Sequence, residues 1–203
     1  MILVYALTAP AAPVPKPLRR VTVGAVTAVV QIVRRPPKPT LRALRAFDRR
    51  LASLDRSVPA ILPVRFGTGI ADLAELTLIL QARQQALRRS LRSVRGRVQM
   101  TVRIVNVEAP TPKSQPARSG SEYLRQRAAA RDVPGFAPLR AAVRRWVKDE
   151  RVEKRERIAS VYHLVPRGSV PAYRRALEAA ARDAGLRVVV SGPWPPYAFA
   201  TTF

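Results

Sequence analysis

Residues 58–73 read VPAILPVRFGTGIADL, and this stretch decides how the first half of the chain folds. Its first nine residues form a short apolar run, which predicts a strand. Pro63 confines that strand to an edge or an irregular position, because proline cannot donate a hydrogen bond to a neighbouring strand. The letters GTG then predict a tight turn. Asp72 and Glu75 follow at the start of a helix, where carboxylates suit the positive end of the helix dipole.

More strands and a helix are predicted before this stretch. Residues 2–7 are apolar and predict a first strand. Residues 21–33 are rich in β-branched side chains, which indicates either one long strand or two strands broken near Gly24. Thr40 is a candidate N-cap for a helix. After it, apolar residues recur at three- and four-residue spacing and predict one buried stripe: Leu41, Leu44, Phe47, Leu51 and Leu54.

A helix and a strand follow the same stretch. The helix is predicted to end near Val94, and residues 97–107, RVQMTVRIVNV, alternate as a half-buried strand does. Residues 1–108 therefore alternate strands and helices, which predicts an α+β domain. A ferredoxin-like arrangement, an antiparallel sheet with helices on one face, fits this order best.

Residues 109–121 are rich in Pro, Ser and Gly and predict a linker. Residues 122–203 form the predicted second domain, also α+β, with a helical start and an extended tail rich in proline and aromatic residues. Its predicted elements are helices at 122–131 and 138–155, a strand at 157–165, a helix from Ser169 to Gly185, and a strand at 186–190.

The chain is strongly basic, with 37 Lys and Arg against 13 Asp and Glu and a net charge of +24. Such a charge favours acidic partners. The basic residues are mostly arginine and are spread along the chain, which is typical of a solvated surface encoded by a GC-rich genome. Residues 97–107 carry no aromatic side chain on which bases could stack. Nonspecific nucleic-acid binding through charge alone remains the alternative function, although we consider it the less favoured one.

The residue inventory argues against an enzyme and against a bound metal or cofactor. The chain has no cysteine, and its one histidine, His163, lies in a predicted strand, where a structural or surface role is the usual one. Neither HExxH nor a phosphate-binding GxxxxGK[ST] sequence occurs. No apolar run reaches the roughly 20 residues that a membrane-spanning helix needs. The apolar start lacks the preceding positive charge of a signal peptide, so we expect a cytoplasmic protein.

Two segments are candidate structural or partner-binding motifs. The first, the 65–68 turn, places an arginine at a glycine turn, where it could hold a carboxylate or a carbonyl oxygen; its residues are Arg65, Phe66, Gly67 and Thr68. The second, the 192–197 segment, combines aromatic side chains with prolines that keep the backbone extended; its residues are Gly192, Pro193, Trp194, Pro195, Pro196 and Tyr197. This second segment either covers the core of its own domain or anchors a partner, and the two roles are compatible.

Both motifs resemble those of a known family. The sequence VPAILPVRFGTGIAD resembles the most characteristic stretch of the GvpF/GvpL gas vesicle proteins, and GPWPPYAFA resembles their C-terminal hallmark. Between the two, SGSEYLRQR is similar to the start of the first helix in the family's second domain. The two proline-containing motifs occur in the family's order, and the resemblance covers most of the chain.

The resemblance implies a non-enzymatic protein of two α+β domains that contacts the small hydrophobic shell protein GvpA and other accessory Gvp proteins. It implies a role in nucleating or enlarging the gas-filled shell, or as a minor component associated with it. The implied location is therefore the gas vesicle within the cytoplasm.

Overall fold

The computed structural model describes residues 1–10, 13–105, 119, 133–155 and 158–200. The chain forms two compact units: Met1–Val98 together with Trp194–Phe203, and Gln99–Pro193. The division falls earlier than the boundary we predicted at residue 108, and the tail that we expected in the second domain lies with the first unit. Of the predicted linker, only Ser119 is among the described residues.

The first unit contains a five-stranded antiparallel sheet and two helices. The strands are β1 Ile2–Thr8, β2 Arg19–Val23, β3 Val26–Ile32, β4 Ile61–Pro63 and β5 Gly69–Ile70, and the helices are α1 Leu41–Ser57 and α2 Leu73–Val94. The strand order is β2-β3-β1-β4, with β5 also pairing with β1. Gly24, at φ +55°, turns the chain between β2 and β3, so the two-strand prediction for residues 21–33 is confirmed.

Both helices of the first unit begin where the sequence predicts. At the start of α1, the Ala43 amide donates to Thr40 Oγ1 over 3.2 Å. At the start of α2, the Glu75 amide donates to Asp72 Oδ1, and Glu75 Oε2 accepts from the Ala71 amide, both at 2.9 Å. These bonds satisfy backbone donors that the first helical turn leaves without a partner.

The sheet of the first unit is covered on both faces, whereas we predicted helices on one face only. All seven residues of β1 are buried, and alternate residues of a strand point to opposite faces. On one face, Leu3 and Tyr5 pack with Phe47, Leu51 and Leu54 of α1. The other helix, α2, packs against β2, β3 and β4.

The second unit contains a four-stranded sheet in the order β7-β8-β6-β9. Its elements are β6 Arg97–Val105, α3 Ala137–Val143, β7 Asp149–Arg155, β8 Ile158–Pro166, α4 Val170–Asp183 and β9 Val188–Trp194. The first two residues of β6 and the last residue of β9, Trp194, belong to the first unit. Their order along the described chain, strand, helix, strand, strand, helix, strand, is that of the ferredoxin-like motif. The first unit instead has three strands before its first helix, because Gly24 breaks residues 21–33 into a hairpin. The α+β class is confirmed, but the ferredoxin-like order belongs to the second unit.

Residues 149–155 form a strand, so our prediction of one helix over residues 138–155 is wrong in its second half. The segment reads DERVEKR and pairs along its whole length with β8, from Asp149 opposite Leu164 to Arg155 opposite Ile158. It is an edge strand, and charged side chains on an edge discourage pairing with other chains. The predicted helix at 122–131 lies outside the described residues.

Helix α4 buries the face that its spacing predicts. Tyr173, Leu177 and Ala181 are buried, and they join Met100, Val102 and Phe136 among others in the core of the second unit. Ser169 precedes the helix but makes no side-chain capping bond. Gly185, at φ +61°, follows its end, as a glycine after a helix commonly does.

Candidate protein-interaction surface

The 65–68 turn is closed by a side-chain bond of its own and is joined to strand β1 by one backbone bond. Thr68 Oγ1 donates to the Arg65 carbonyl oxygen over 2.8 Å, and the Val4 amide donates to the Thr68 carbonyl oxygen over 3.0 Å. Gly67 has φ +83°, a conformation that costs other residues about 1–2 kcal/mol. The Arg65 side chain is exposed. Thr68 and Gly67 therefore shape the turn and leave Arg65 open to a partner.

Phe66 connects this turn to helix α1 through an aromatic contact. Its ring meets the Phe47 ring edge to face at 5.3 Å, and Phe47 stacks on Tyr5 at 4.7 Å. Such pairs add stabilisation beyond the area they bury. Phe66 therefore holds the turn against the first unit's core, although it remains partly accessible.

The C-terminal tail contains a short helical turn that packs against the sheet of the first unit. Pro195 and Pro196 are buried, and Tyr197–Phe199 form one turn of 3-10 helix. That turn packs against β4. Phe199 is 5% exposed, whereas Trp194 is 47% exposed. The tail thus has one aromatic side chain that fills the first unit and another that faces outwards.

Tyr197 is the polar anchor of the tail. Its hydroxyl donates to Asp48 Oδ1 on α1 over 3.1 Å. Burial, the negative charge of Asp48 and this hydrogen bond together raise the pKa of the Tyr197 phenol above its ordinary value. The phenol therefore stays protonated and keeps donating throughout the physiological pH range.

Both predicted motifs contact helix α1 of the first unit, except for Gly192 and Pro193. Phe66 contacts Phe47, Tyr197 contacts Asp48, and these two residues of α1 are neighbours in sequence. Gly192 and Pro193 belong to the second unit. There Arg174 Nη2 donates to the Gly192 carbonyl oxygen over 2.9 Å, and the Gly192–Pro193 peptide is cis.

The start of α1 carries exposed apolar side chains that we predicted to be buried. Leu41 is 62% exposed and Leu44 is 37% exposed. Leu44 lies one helical turn before Asp48, so it neighbours the residue that holds Tyr197. We call these exposed residues the tail surface: Leu41, Leu44, Trp194 and Tyr197. Exposed aromatic and aliphatic side chains of this kind are common where proteins bind each other.

His163 lies in a buried hydrogen-bond network of the second unit. It is fully buried; its Nδ1 is 2.7 Å from Tyr173 Oη, and its Nε2 is 2.9 Å from Glu150 Oε2. Arg140 in turn binds Glu150, with Nη2 3.1 Å from Oε1. Both nitrogens of the buried imidazole therefore have a hydrogen-bond partner, which indicates the structural role predicted for the histidine. Within the described ranges, no group of three or more His, Cys, Asp or Glu residues could hold a metal ion.

The charge of Glu150 is stabilised in the folded chain. Burial alone would raise its pKa, but the hydrogen bonds from His163 and Arg140 and the positive charge of Arg140 lower it overall. A carboxyl whose folded pKa is depressed stabilises the fold above its unfolded pKa of about 4.3, and that contribution is lost as the pH falls through the folded value.

Acid should therefore destabilise the wild type more than a Glu150→Gln variant. Urea unfolding measured at several pH values between neutral and strongly acidic would show the difference between the two proteins shrinking below about pH 4.3. A difference that stays constant down to the lowest pH would show that the Glu150 carboxylate contributes nothing through its charge.

A comparison with family models identifies the class of protein. Residues 2–201 match the model described as "Gas vesicle synthesis protein GvpL/GvpF". The chain therefore belongs to the GvpL/GvpF family of gas vesicle proteins, which is not a known enzyme family. A comparison with curated protein sequences gave no significant match.

Two solved structures have the same fold. The crystal structure of gas vesicle protein GvpF from Microcystis aeruginosa is 14% identical in sequence, with a TM-score of 0.74 and 98% of each chain covered. That of GvpF from Anabaena sp. PCC7120 is also 14% identical, with a TM-score of 0.75, 100% of this chain and 96% of that chain covered. None of the helices in the described ranges is long and apolar enough to cross a membrane.

Proposed function

We propose that this chain is an accessory protein of gas vesicle assembly, which binds the hydrophobic shell protein GvpA and other accessory Gvp proteins during nucleation or growth of the shell. A self-assembling apolar subunit needs a soluble partner that covers its exposed strand edges until it is added to the shell. This role implies action in the cytoplasm and at the vesicle, and it requires neither a cofactor nor a catalytic residue.

The proposal rests mainly on the tail surface of the first unit, in a chain that belongs to the GvpL/GvpF family. Trp194 is nearly half exposed although the residues after it, Pro195 and Pro196, are buried. A tryptophan on a fixed backbone loses little conformational entropy when it binds, and Trp and Tyr are enriched among the residues that contribute most to binding. The exposed Leu41 and Leu44 add apolar area at the start of α1, and Leu44 lies one helical turn before Asp48, which binds Tyr197.

Copurification with tagged GvpA should recover the wild-type chain and much less of a Trp194→Ala variant. Leu78→Ala is a matched control, because Leu78 lies on α2 of the same unit and is 65% exposed; it should be recovered like the wild type. The lysate is treated with nuclease, since recovery that depends on nucleic acid would support the alternative function. Failure of the wild type to recover with GvpA or any other Gvp protein would contradict the proposal.

A further inference from the structure

A groove with a volume of about 230 Å³ opens on the first unit between the sheet and helix α1. Its lining includes the aromatic side chains of Phe47 and Phe66, and the small side chains of Ala43 and Ala46. Drug-sized ligands and cofactors usually occupy pockets of about 300–1,000 Å³. The groove is therefore suited to one or two side chains of a protein segment.

A polar cluster lies within this otherwise apolar groove. Arg50 Nη1 donates to Tyr5 Oη over 2.5 Å and to Gln31 Oε1 over 3.2 Å, and Tyr5 Oη donates to Gln31 Oε1 over 2.9 Å. The Arg50 guanidinium also lies 5.6 Å from the centre of the Tyr5 ring. These contacts hold the partly buried Arg50 in one orientation.

The charge of Arg50 is not neutralised by any carboxylate in the part of the chain that the structure describes. Both of its bonds use Nη1, and both go to neutral oxygens, so the N–H groups of Nη2 and Nε remain available. Arg35, exposed and also lining the groove, adds a second positive charge. A preoriented guanidinium beside aromatic walls is complementary to a carboxylate that carries an apolar neighbour.

We propose that this groove binds a segment of a partner protein in which an Asp or Glu side chain lies next to an apolar one. The carboxylate pairs with the free edge of the Arg50 guanidinium, and the apolar side chain packs against Phe47 and Phe66. The inference rests on the proposed function in taking the partner to be a protein. The net charge of +24 attracts acidic partners in general but does not select one of them. The groove adds this selectivity, because it binds one acidic side chain of the partner at a defined site.

A peptide titration of the full chain tests this site without any gas vesicle protein. The probe is N-acetyl-Leu-Asp-Leu-amide, and the neutral control peptide has Asn in place of Asp. Backbone amide shifts of Ala43, Ala46 and Phe66 should change saturably with the acidic peptide. Loss of the charge-assisted hydrogen bonds should weaken binding about tenfold, both for the Asn peptide and for an Arg50→Met variant.

Arg49→Met is the matched control, because Arg49 precedes Arg50 on α1, is exposed and does not line the groove. It should bind the acidic peptide as the wild type does, and Arg50→Lys should retain part of the affinity. Equal weakening by the two Met variants, equal affinity for the two peptides, or no saturable shift in the wild type would each overturn the site. A short oligonucleotide that shifts the same amides more strongly than the peptide would overturn it as well. None of these outcomes alters the copurification result, so the two proposals fail separately.

Discussion

Replacing Phe199 with alanine should destabilise the first unit by about 3 kcal/mol, because it removes a large buried aromatic side chain and leaves a cavity. Phe199 is 5% exposed and lies in the 3-10 turn that packs against β4. Trp194→Ala, in the same tail, should cost less than about 1 kcal/mol, since its side chain already faces solvent over nearly half of its surface.

Urea unfolding followed by circular dichroism would measure both free energies of unfolding. The two units need not unfold together, so hydrogen exchange read by mass spectrometry should assign the loss for Phe199→Ala to peptides of Met1–Val98. Equal losses for Phe199→Ala and Trp194→Ala, or a loss confined to Gln99–Pro193, would contradict the position of the tail described above.

Replacing His163 with alanine should destabilise the second unit by about 3–4 kcal/mol. The substitution opens a cavity at a fully buried position. It removes the hydrogen-bond partner of Tyr173 Oη and one of the two partners of Glu150 Oε2, which keeps Arg140 Nε. The desolvation of Tyr173 is severe enough to raise the pKa of its phenol well above the ordinary value. A buried hydroxyl without a partner lowers the free energy of unfolding, because its hydrogen bonds to water are lost on folding and no protein hydrogen bond replaces them.

Two milder variants keep this prediction testable if His163→Ala does not fold. Tyr173→Phe removes only the hydroxyl and should cost about 1–2 kcal/mol, since His163 Nδ1 loses its partner in the core. Tyr162→Phe is the control, because the Tyr162 hydroxyl binds Glu153 Oε2 near the surface over 2.8 Å, and its loss should cost less than about 1 kcal/mol. Equal losses for the two variants by thermal or urea unfolding would show that the buried network adds no stability.

The predictable parts of the fold are those that local chemistry determines. Thr40 and Asp72 cap their helices with their own side chains, and a cap depends on residues within one turn. The stripe of α4 was predictable for the same kind of reason, because three-residue and four-residue spacing places Tyr173, Leu177 and Ala181 on one face.

The errors arose where distant parts of the chain decide the outcome. Residues 149–155 carry charges at helical spacing, but pairing with β8 along their whole length makes them a strand. Within this strand, Glu150 binds Arg140 and His163, which come from two other elements. The two-sided burial of the first sheet did have a signal in the sequence: ILVYALT is an almost unbroken apolar run, as strands covered on both faces usually are.

Of the tail surface, the sequence singled out Trp194 and Tyr197, whereas Leu41 and Leu44 were predicted to be buried. Clustered prolines and aromatic side chains indicated the tail, and the LPVRFGT stretch indicated the turn. The contacts of the two segments with α1 use Phe47 and Asp48, which are ordinary helix residues in sequence. The Arg50 groove had no local signal, since Tyr5, Gln31 and Arg50 come from three separate elements.

The described surfaces of the two units differ, and we expect the two units to differ in function as well. The first unit carries the tail surface and the groove, both of which combine apolar contact with an exposed or partly exposed polar group. The second unit keeps its one histidine inside a satisfied network, and its edge strand β7 is charged. We therefore expect variants of the tail surface and of the groove to alter partner binding, and variants of the His163 network to alter stability alone.

The central claim is that the chain works by binding the shell protein, and the affinity of the purified chain for immobilised GvpA tests it most directly. We predict saturable binding of the wild type in nuclease-treated, physiological-salt buffer. Binding of Trp194→Ala should be weaker by about tenfold or more, as expected when an exposed tryptophan that contacts the partner is removed. No saturable binding of a correctly folded wild type would contradict the claim.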